Sequence, residues 1–299
     1  MQPVWGIDLG GTKIEGVILE HRNSLNILDR RRVPTESKLG YEHIIRQICR
    51  LVADMSAATG LQPTRIGIGT PGAKDPTTGL HKNSNTTCIN GRAFEADLQV
   101  ALGIPVLTAN DANCFAVAEA NLGVVRDEVP NARMVFGVIM GTGVGGGVVV
   151  DGKVIGGRHG IGGEWGHNFL DESGGQCYCG KVGCVERIFS GPHLEQFYAS
   201  LSGVRLPLHE VWARIEHDAD AAATHSRLLT QFGRAIACII NVLDPDAIVL
   251  GGGVGNTPSL YTEGVLEAAK HVFNPILETP FLRPKLGDSA GVFGAALLW

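Results

Sequence analysis

The sequence predicts an α/β protein organised as two related lobes facing a cleft. Three observations carry that reading. The chain has 299 residues, more than one hydrophobic core comfortably serves. Short apolar strands are interspersed with helices that carry apolar stripes. A strand–glycine turn–strand unit occurs at residues 4–19 and again at 134–150.

Taken in order, Val4 to Leu9 is a strand running into Gly10-Gly11-Thr12-Lys13, and Ile14 to Leu19 is its partner. Tyr41 to Ala58 reads as a helix, with Ile44, Ile45, Ile48, Leu51, Val52 and Met55 at helical spacing. Arg65 to Thr70 and Ile104 to Ala109 read as strands, the second ending at Asn110-Asp111. Met134 to Met140, a glycine turn over 141–147 and Val148 to Val150 repeat the opening pattern. Arg227 to Leu243 reads as a long helix, Asp246 to Leu250 as a buried strand, and Ser289 to Leu298 as a final helix capped by Asp288 or Ser289.

Composition narrows the function classes. The net charge of −5 argues against a broad nucleic-acid surface. The opening MQPVWGIDLGG has neither a basic segment nor an apolar run, so no signal peptide is expected. No apolar stretch is long enough to span a membrane, and a cytoplasmic protein is expected. Glycine, at 41 residues, stands at about twice its ordinary share and clusters near 67–72, 141–147, 156–166 and 251–255. Clustered glycine suggests backbone that approaches a ligand closely.

Three groups of residues could carry chemistry. The first is Asp8 with Gly10, Gly11, Thr12 and Lys13, followed by Gly141, Thr142 and Gly143 in the second unit. Such turns can aim main-chain N–H groups at an anion, and Asp8 could hold Mg²⁺ directly or through water. A plain hairpin turn is the alternative for each taken alone. Neither matches a P-loop or dinucleotide fingerprint. Gly251, Gly252 and Gly253 follow a strand and could let an adenine lie against the backbone, or could be an ordinary turn.

The second group is His167, Cys177, Cys179 and Cys184, a set suited to structural tetrahedral Zn²⁺. A Cys177–Cys179 disulfide would be strained by its one-residue spacer. The other cysteines, Cys49, Cys88, Cys114 and Cys238, sit in apolar contexts and are expected in the core. The third group is polar: Asp111 at a strand end could take a proton from a hydroxyl, or Asn110-Asp111 could simply cap a helix. Glu164 and Glu186 flank the cysteine cluster and could bond sugar hydroxyls, or be solvated surface residues.

With these residues assembled, the chain resembles the ROK family of sugar kinases and repressors. The matching segments run from Asp8-Leu-Gly-Gly-Thr-Lys13 through Gly69-Thr-Pro-Gly72, Asn110-Asp-Ala-Asn113 and Gly141-Thr-Gly-Val-Gly145. They continue through Gly163-Glu-Trp-Gly-His167, Cys177-Tyr-Cys-Gly-Lys-Val-Gly-Cys184, Asp244-Pro-Asp246 and Gly251-Gly-Gly253. The resemblance implies a two-lobed actin-like (hexokinase- and ribonuclease H-like) ATPase fold. Residues 1–112 with 289–299 would form the small lobe, and 113–288 the large lobe with a zinc loop. It implies ATP and Mg²⁺ as cofactors, Asp111 as catalytic base, and Asn110, Glu164, His167 and Glu186 as sugar ligands. The glycine turns would hold phosphates, and a homodimer is expected. Lys82-Asn83-Ser84-Asn85, Asn90-Gly91 and residues 163–168 look most like the fructokinase/mannokinase branch. Fructose is therefore the first expected substrate and Asn85 a further substrate contact, with N-acetylhexosamines, glucose and mannose as alternatives. A sugar-responsive repressor needs a DNA-reading module, and none is expected ahead of a strand that begins by Val4.

Overall fold

The computed structural model describes residues 2–299. The chain divides into two compact units: residues 1–132, 147–163 and 284–299 form one, and 133–146 with 164–283 the other. The strands are β1 (Val4–Leu9), β2 (Lys13–Leu19), β3 (Ile27–Pro34), β4 (Ile66–Thr70), β5 (Ala73–Lys74), β6 (His81–Lys82), β7 (Val106–Asn110), β8 (Met134–Met140), β9 (Val144–Val150), β10 (Lys153–Val154), β11 (Ala247–Gly251) and β12 (Phe281–Leu282). One sheet has the order β3-β2-β1-β4-β7, the other β10-β9-β8-β11-β12, and β5 pairs with β6. The two large sheets thus repeat one plan: a hairpin whose first strand takes parallel neighbours on its other side. In the first sheet β1 pairs β4 and β4 pairs β7, all parallel. In the second, β8 pairs β11 and β11 pairs β12 in the same sense.

The first unit's core forms between this sheet and helix α1 (Tyr41–Thr59), where Ile44, Ile45, Ile48, Leu51, Val52 and Met55 are buried as their spacing requires. Each such side chain contributes about 1.5–3 kcal/mol by leaving water. α1 stops at Gly60, which takes a left-handed φ of 71° and returns its N–H to Ser56 O. Helix α2 (Phe94–Leu102) and helix α3 (Asp111–Asn121) flank β7. The exposed edge of β7 is blunted by Glu95, whose Oε2 accepts from both the N–H and the hydroxyl of Thr108 at 2.8 Å.

The C-terminal helix Ala290–Ala296 returns onto the same sheet and onto α3. A Cβ at Gly294 would stand 1.8 Å from Cys114 O, and one at Gly67 1.8 Å from Ala295 O, so both contacts require glycine. Glu119 on α3, wholly buried, accepts from the N–H groups of Val124, Lys285 and Leu286. Its oxygens are met by main-chain N–H groups, and it ties the C-terminal segment to α3.

Two boundaries and one burial differ from the sequence reading. The turn of the second hairpin is only 141–143, because β9 begins at Val144 and takes in Gly145–Gly147. A Cβ at Gly147 would meet Ala112 O and Ala116 Cβ at 2.8 Å, so that glycine serves packing against α3. The long helix starts at Ala219 and not at Arg227, since Asp218 caps it by accepting from the N–H groups of Asp220 and Ala221. Of the cysteines expected in the core, Cys114 is buried and Cys49 and Cys88 pack against the core under α1, but Cys238 is exposed. Among the described residues no helix is long and apolar enough to cross a membrane.

Candidate active site

Three parallel strands of the first unit deliver their C-terminal ends side by side: Asp8 is in register with Gly69, and Thr70 with Asn110. Ligand sites of open α/β sheets form at such strand ends. Asn110 caps α3, its Oδ1 accepting from Ala112 N–H at 2.8 Å, and its amide bonds the Asp111 carboxylate. The cap reading and the functional reading of Asn110-Asp111 are therefore compatible, because the cap fixes where Asp111 stands. Asp111 is reached by solvent, yet the protein packed around it raises its carboxyl above the usual range, against hydrogen bonds that lower it.

Asp8 is raised to about 6, by burial first, then by the charges of Asp111 and Glu15, with Lys13 opposing. A carboxyl raised by burial and by the charge of a second carboxylate suits a divalent cation bound by oxygen ligands. Mg²⁺ fits this pair by its donor chemistry. Asn85 is exposed in a loop held shut by Asn90, whose side chain accepts from Ser84 N–H and donates to Ser84 O. That loop is seated beside β4, since a Cβ at Gly72 would lie 2.3 Å from Lys82 O and 2.7 Å from Ser84 N. Asn85, Asn110, Asp111 and Asp8 thus belong to one end of one sheet.

The first glycine turn departs in one respect from the simplest anion cradle. Gly10 N–H is committed to Lys13 O at 2.9 Å, leaving Gly11, Thr12 and Lys13 as the exposed tip. Thr35, fully buried, closes the turn from below: its hydroxyl donates to Gly10 O at 2.6 Å and its N–H to Thr12 O. Lys13 is 3.6 Å from Glu15, which Arg30 and Arg32 also pair with.

In the second unit Gly141 N–H is likewise spent, on Gly143 O, and Thr142 is exposed at the tip. Glu186 braces this turn. Its Oε2 accepts from Val144 N–H at 3.0 Å and sits where a Gly143 side chain would be, 2.6 Å from an added Cβ. Gly251 ends β11, and Gly252 has a φ of 82° with a Cβ position only 2.3 Å from Met140 O. The strand-end glycines therefore sit against the end of β8. Glu164 opens the single turn Trp165–His167. Trp165 is buried and its indole N–H donates to Gly145 O at 2.9 Å, while Gly166 closes on Val144 O. The Gly-Glu-Trp-Gly-His segment is thus clamped onto the first residues of β9.

The cysteine cluster assembles as the spacing suggested. The ligand atoms of His167, Cys177, Cys179 and Cys184 all lie within 4.8 Å of one another. His167 Nδ1 is 3.7 Å from Cys177 Sγ, and Cys179 Sγ is 3.6 Å from Cys184 Sγ. Zinc at about 2.3 Å from sulfur sets tetrahedral ligand atoms about 3.8 Å apart, so the residues fit that ion. Gly180 and Gly183 take φ of 87° and 73°, which the loop needs to turn around the thiols. With a metal on Nδ1 the ring proton is on Nε2, which then donates to the Tyr178 hydroxyl 2.9 Å away.

Sequence reasoning missed Thr35, Asn90 as a loop brace, and Tyr178. Thr35 has no signal, being one threonine after a proline in a strand that lacks alternation. Tyr178 lies inside the cysteine run and was legible as a neighbour of the ligands.

Comparison with known proteins settles the family, since the ROK family matches residues 4–299. The chain belongs to the ROK family. An N-acetyl-D-glucosamine kinase of Aliivibrio salmonicida is 33% identical over 305 residues, covering 98% of both chains. A ROK hexokinase structure from Thermus thermophilus superposes with a TM-score of 0.87 at 32% identity, over 99% of this chain and 97% of that one. A ROK glucokinase from Streptomyces griseus, solved with glucose and AMPPNP, gives a TM-score of 0.75 at 26% identity and 98% coverage of each. This ROK protein accordingly has the actin-like ATPase fold that the resemblance implied.

Proposed function

We propose that this protein transfers the γ-phosphoryl group of ATP to the 6-hydroxyl of a hexose, with N-acetyl-D-glucosamine the first candidate sugar. The observation that carries the reading is the Asp111 carboxylate, fixed by the Asn110 cap at the ends of three parallel strands and beside Asp8. Asp111 takes the proton of the sugar hydroxyl as the oxygen attacks phosphorus, and the bond between the β,γ-bridging oxygen and the γ-phosphorus breaks to leave ADP. Its raised carboxyl favours that role, since a base must accept a proton near neutral pH. Asp8 holds Mg²⁺, which supplies charge neutralisation when bound. The tips Gly11–Thr12 and Thr142–Gly143 hold phosphate oxygens, and Gly251–Gly253 receives the base. Asn85, Asn110, Glu164 and Glu186 hold sugar hydroxyls, Glu186 with the oxygen not spent on Val144, and His167 joins them by turning its Nε2–H from the Tyr178 hydroxyl to a sugar oxygen. A structural Zn²⁺ fixes His167 and its loop, and a homodimer completes the reading.

The N-acetylglucosamine kinase likeness over nearly the whole chain favours that sugar above fructose. Fructose rests on the short segments 82–91 and 163–168 and is the second reading. A coupled ADP-release assay across fructose, glucose, mannose, N-acetylglucosamine and N-acetylmannosamine decides between them. The highest kcat/KM is expected with N-acetylglucosamine. ADP release that no sugar stimulates would overturn the kinase reading itself.

A further inference from the structure

The second unit contains a cavity of about 310 Å³ that plays no part in the chemistry above. It is walled by the turn at Ser173, by Arg187 from the helix Val185–Phe189, by His193, Gln196 and Phe197 from the helix Gly191–Ser202, and by Arg227 from the helix Ala219–Leu243. Both arginines are partly buried, and among the described residues neither makes an ion pair with a carboxylate. Arg227 feels Asp171, but the ion pair of Asp171 is with Arg234, at 3.8 Å.

Every hydrogen-bond partner the arginines do have is neutral. Arg187 Nε donates to Gly174 O at 3.0 Å, and its Nη1 donates to His193 Nε2. A guanidinium has no acceptor, so Nε2 must be the unprotonated nitrogen, and Nδ1–H donates to Ser190 Oγ at 2.7 Å. His193 is therefore a neutral prop for Arg187; burial and the Arg187 charge keep it so, against the field of Glu186. Arg227 Nη2 donates to Ser173 Oγ at 2.8 Å, and its guanidinium stacks 4.4 Å from the Phe197 ring centre. Its Nε is buried without a partner.

Two oriented guanidiniums share one solvent-connected cavity with no carboxylate hydrogen-bonded to either and only the field of Asp171 on Arg227, which leaves much of their charge uncompensated. Planar guanidinium forks match tetrahedral oxyanions through bidentate bonds. We propose that this cavity is a binding site for a phosphate-class oxyanion, distinct from the strand-end site of Asp111. The ligand is inorganic phosphate or the phosphate of a small ester; the volume is that of a small-ligand pocket, on the order of 300 Å³.

Calorimetric titration of the full chain tests this, in saturating ADP to keep phosphate out of the nucleotide site. Inorganic phosphate and glycerol 3-phosphate, an ester that is not a product of the proposed reaction, are titrated separately. Wild-type protein is expected to bind at least one of them; tighter binding of the ester identifies an ester site, and equal binding a bare phosphate site. Arg227→Gln should weaken binding at least about tenfold, the loss of a charge-assisted bond. Gln196 is exposed at the cavity mouth, so Gln196→Glu introduces a repelling charge without touching the fold and should weaken binding several-fold. No binding by the wild type at tens of millimolar, or binding unchanged in Gln196→Glu, overturns the proposal whether or not Arg227→Gln folds. Because binding is read and not turnover, the result is independent of the kinase reading.

Discussion

The turns Gly10–Lys13 and Gly141–Gly143 close in similar ways, each spending the N–H of its first glycine on a carbonyl two or three residues later, at 2.9 Å. They differ in what stands behind them. The first is backed by Thr35, a neutral hydroxyl just past the end of β3 in the same sheet. The second is backed by the Glu186 carboxylate, on a helix that starts directly after Cys184. The shape of the first turn therefore depends on strand pairing, and that of the second on the loop of the cysteine cluster. A turn that relies on a brace two residues from the cysteine cluster can be lost without unfolding the sheet that carries it.

The largest expected effect places the chemistry on the side of the first turn. Asp111→Asn keeps the bond to Ala112 N–H and so keeps the helix start, but cannot take a proton. Turnover should fall about 10²–10⁴-fold with metal content and melting temperature little changed. A drop of only a few-fold in steady-state kinetics would remove Asp111 from the role of base.

The next effect isolates the second turn. Cys179→Ser removes one of four ligands, and bound zinc measured by elemental analysis should fall from about one per chain to near zero. The melting temperature should drop by several degrees, and the KM for ATP and for sugar should rise, because the Glu186 and Glu164 segments lose their anchor. Full zinc with unchanged KM values would break the link between metal loop and turn. Wild-type protein purified without zinc would break it more directly.

Much of this arrangement was legible in the sequence, and the limits have physical causes. The hairpins were readable because apolar strands end in glycines, and α1 because six apolar residues follow a 3.6 period. The thiol cluster was readable because its ligands are close in sequence and geometrically demanding. Strand β3 was not, since most of its residues are exposed and its Arg30-Arg31-Arg32 run lacks alternation. The extent of the second turn was not, because glycines at 145–147 look the same whether they face a ligand or, as Gly147 does, a helix backbone. The brace by Glu186 spans 42 residues and has no local signature.

A pH experiment separates the two turns in another way. Burial and the neighbouring carboxylates raise Asp8, at the root of the first turn, to about 6 from an ordinary value of 3.8. The folded state thus holds the Asp8 proton more tightly than the unfolded chain does. That contribution to stability is complete below about pH 4 and is lost as pH rises through 6. A shift of this size corresponds to about 3 kcal/mol. In metal-free buffer Asp8→Asn should melt higher than wild type at pH 7.5, and the difference should vanish near pH 4. Adding Mg²⁺ should narrow the gap at pH 7.5 by stabilising only the wild type. A gap that ignores Mg²⁺ would leave Asp8 a buried acid without a cation to hold.

The smallest effects compare the braces themselves. Thr35→Val removes the hydroxyl that donates to Gly10 O in a fully buried position, and leaves that carbonyl one bond short. The cost is about 1–3 kcal/mol, since the valine methyl fills the space but cannot donate. Glu186→Gln keeps an oxygen able to accept from Val144 N–H, so it should cost less in stability, about 1 kcal/mol or below. In Thr35→Val, whose turn belongs to a sheet, the loss should appear mainly in melting temperature. In Glu186→Gln it should appear mainly in KM, because on the proposed reading the carboxylate both holds a turn and bonds the sugar, while the sheet stands without it. If both variants lose melting temperature equally and neither moves KM, the two turns are braced alike and the metal loop has no part in holding the second.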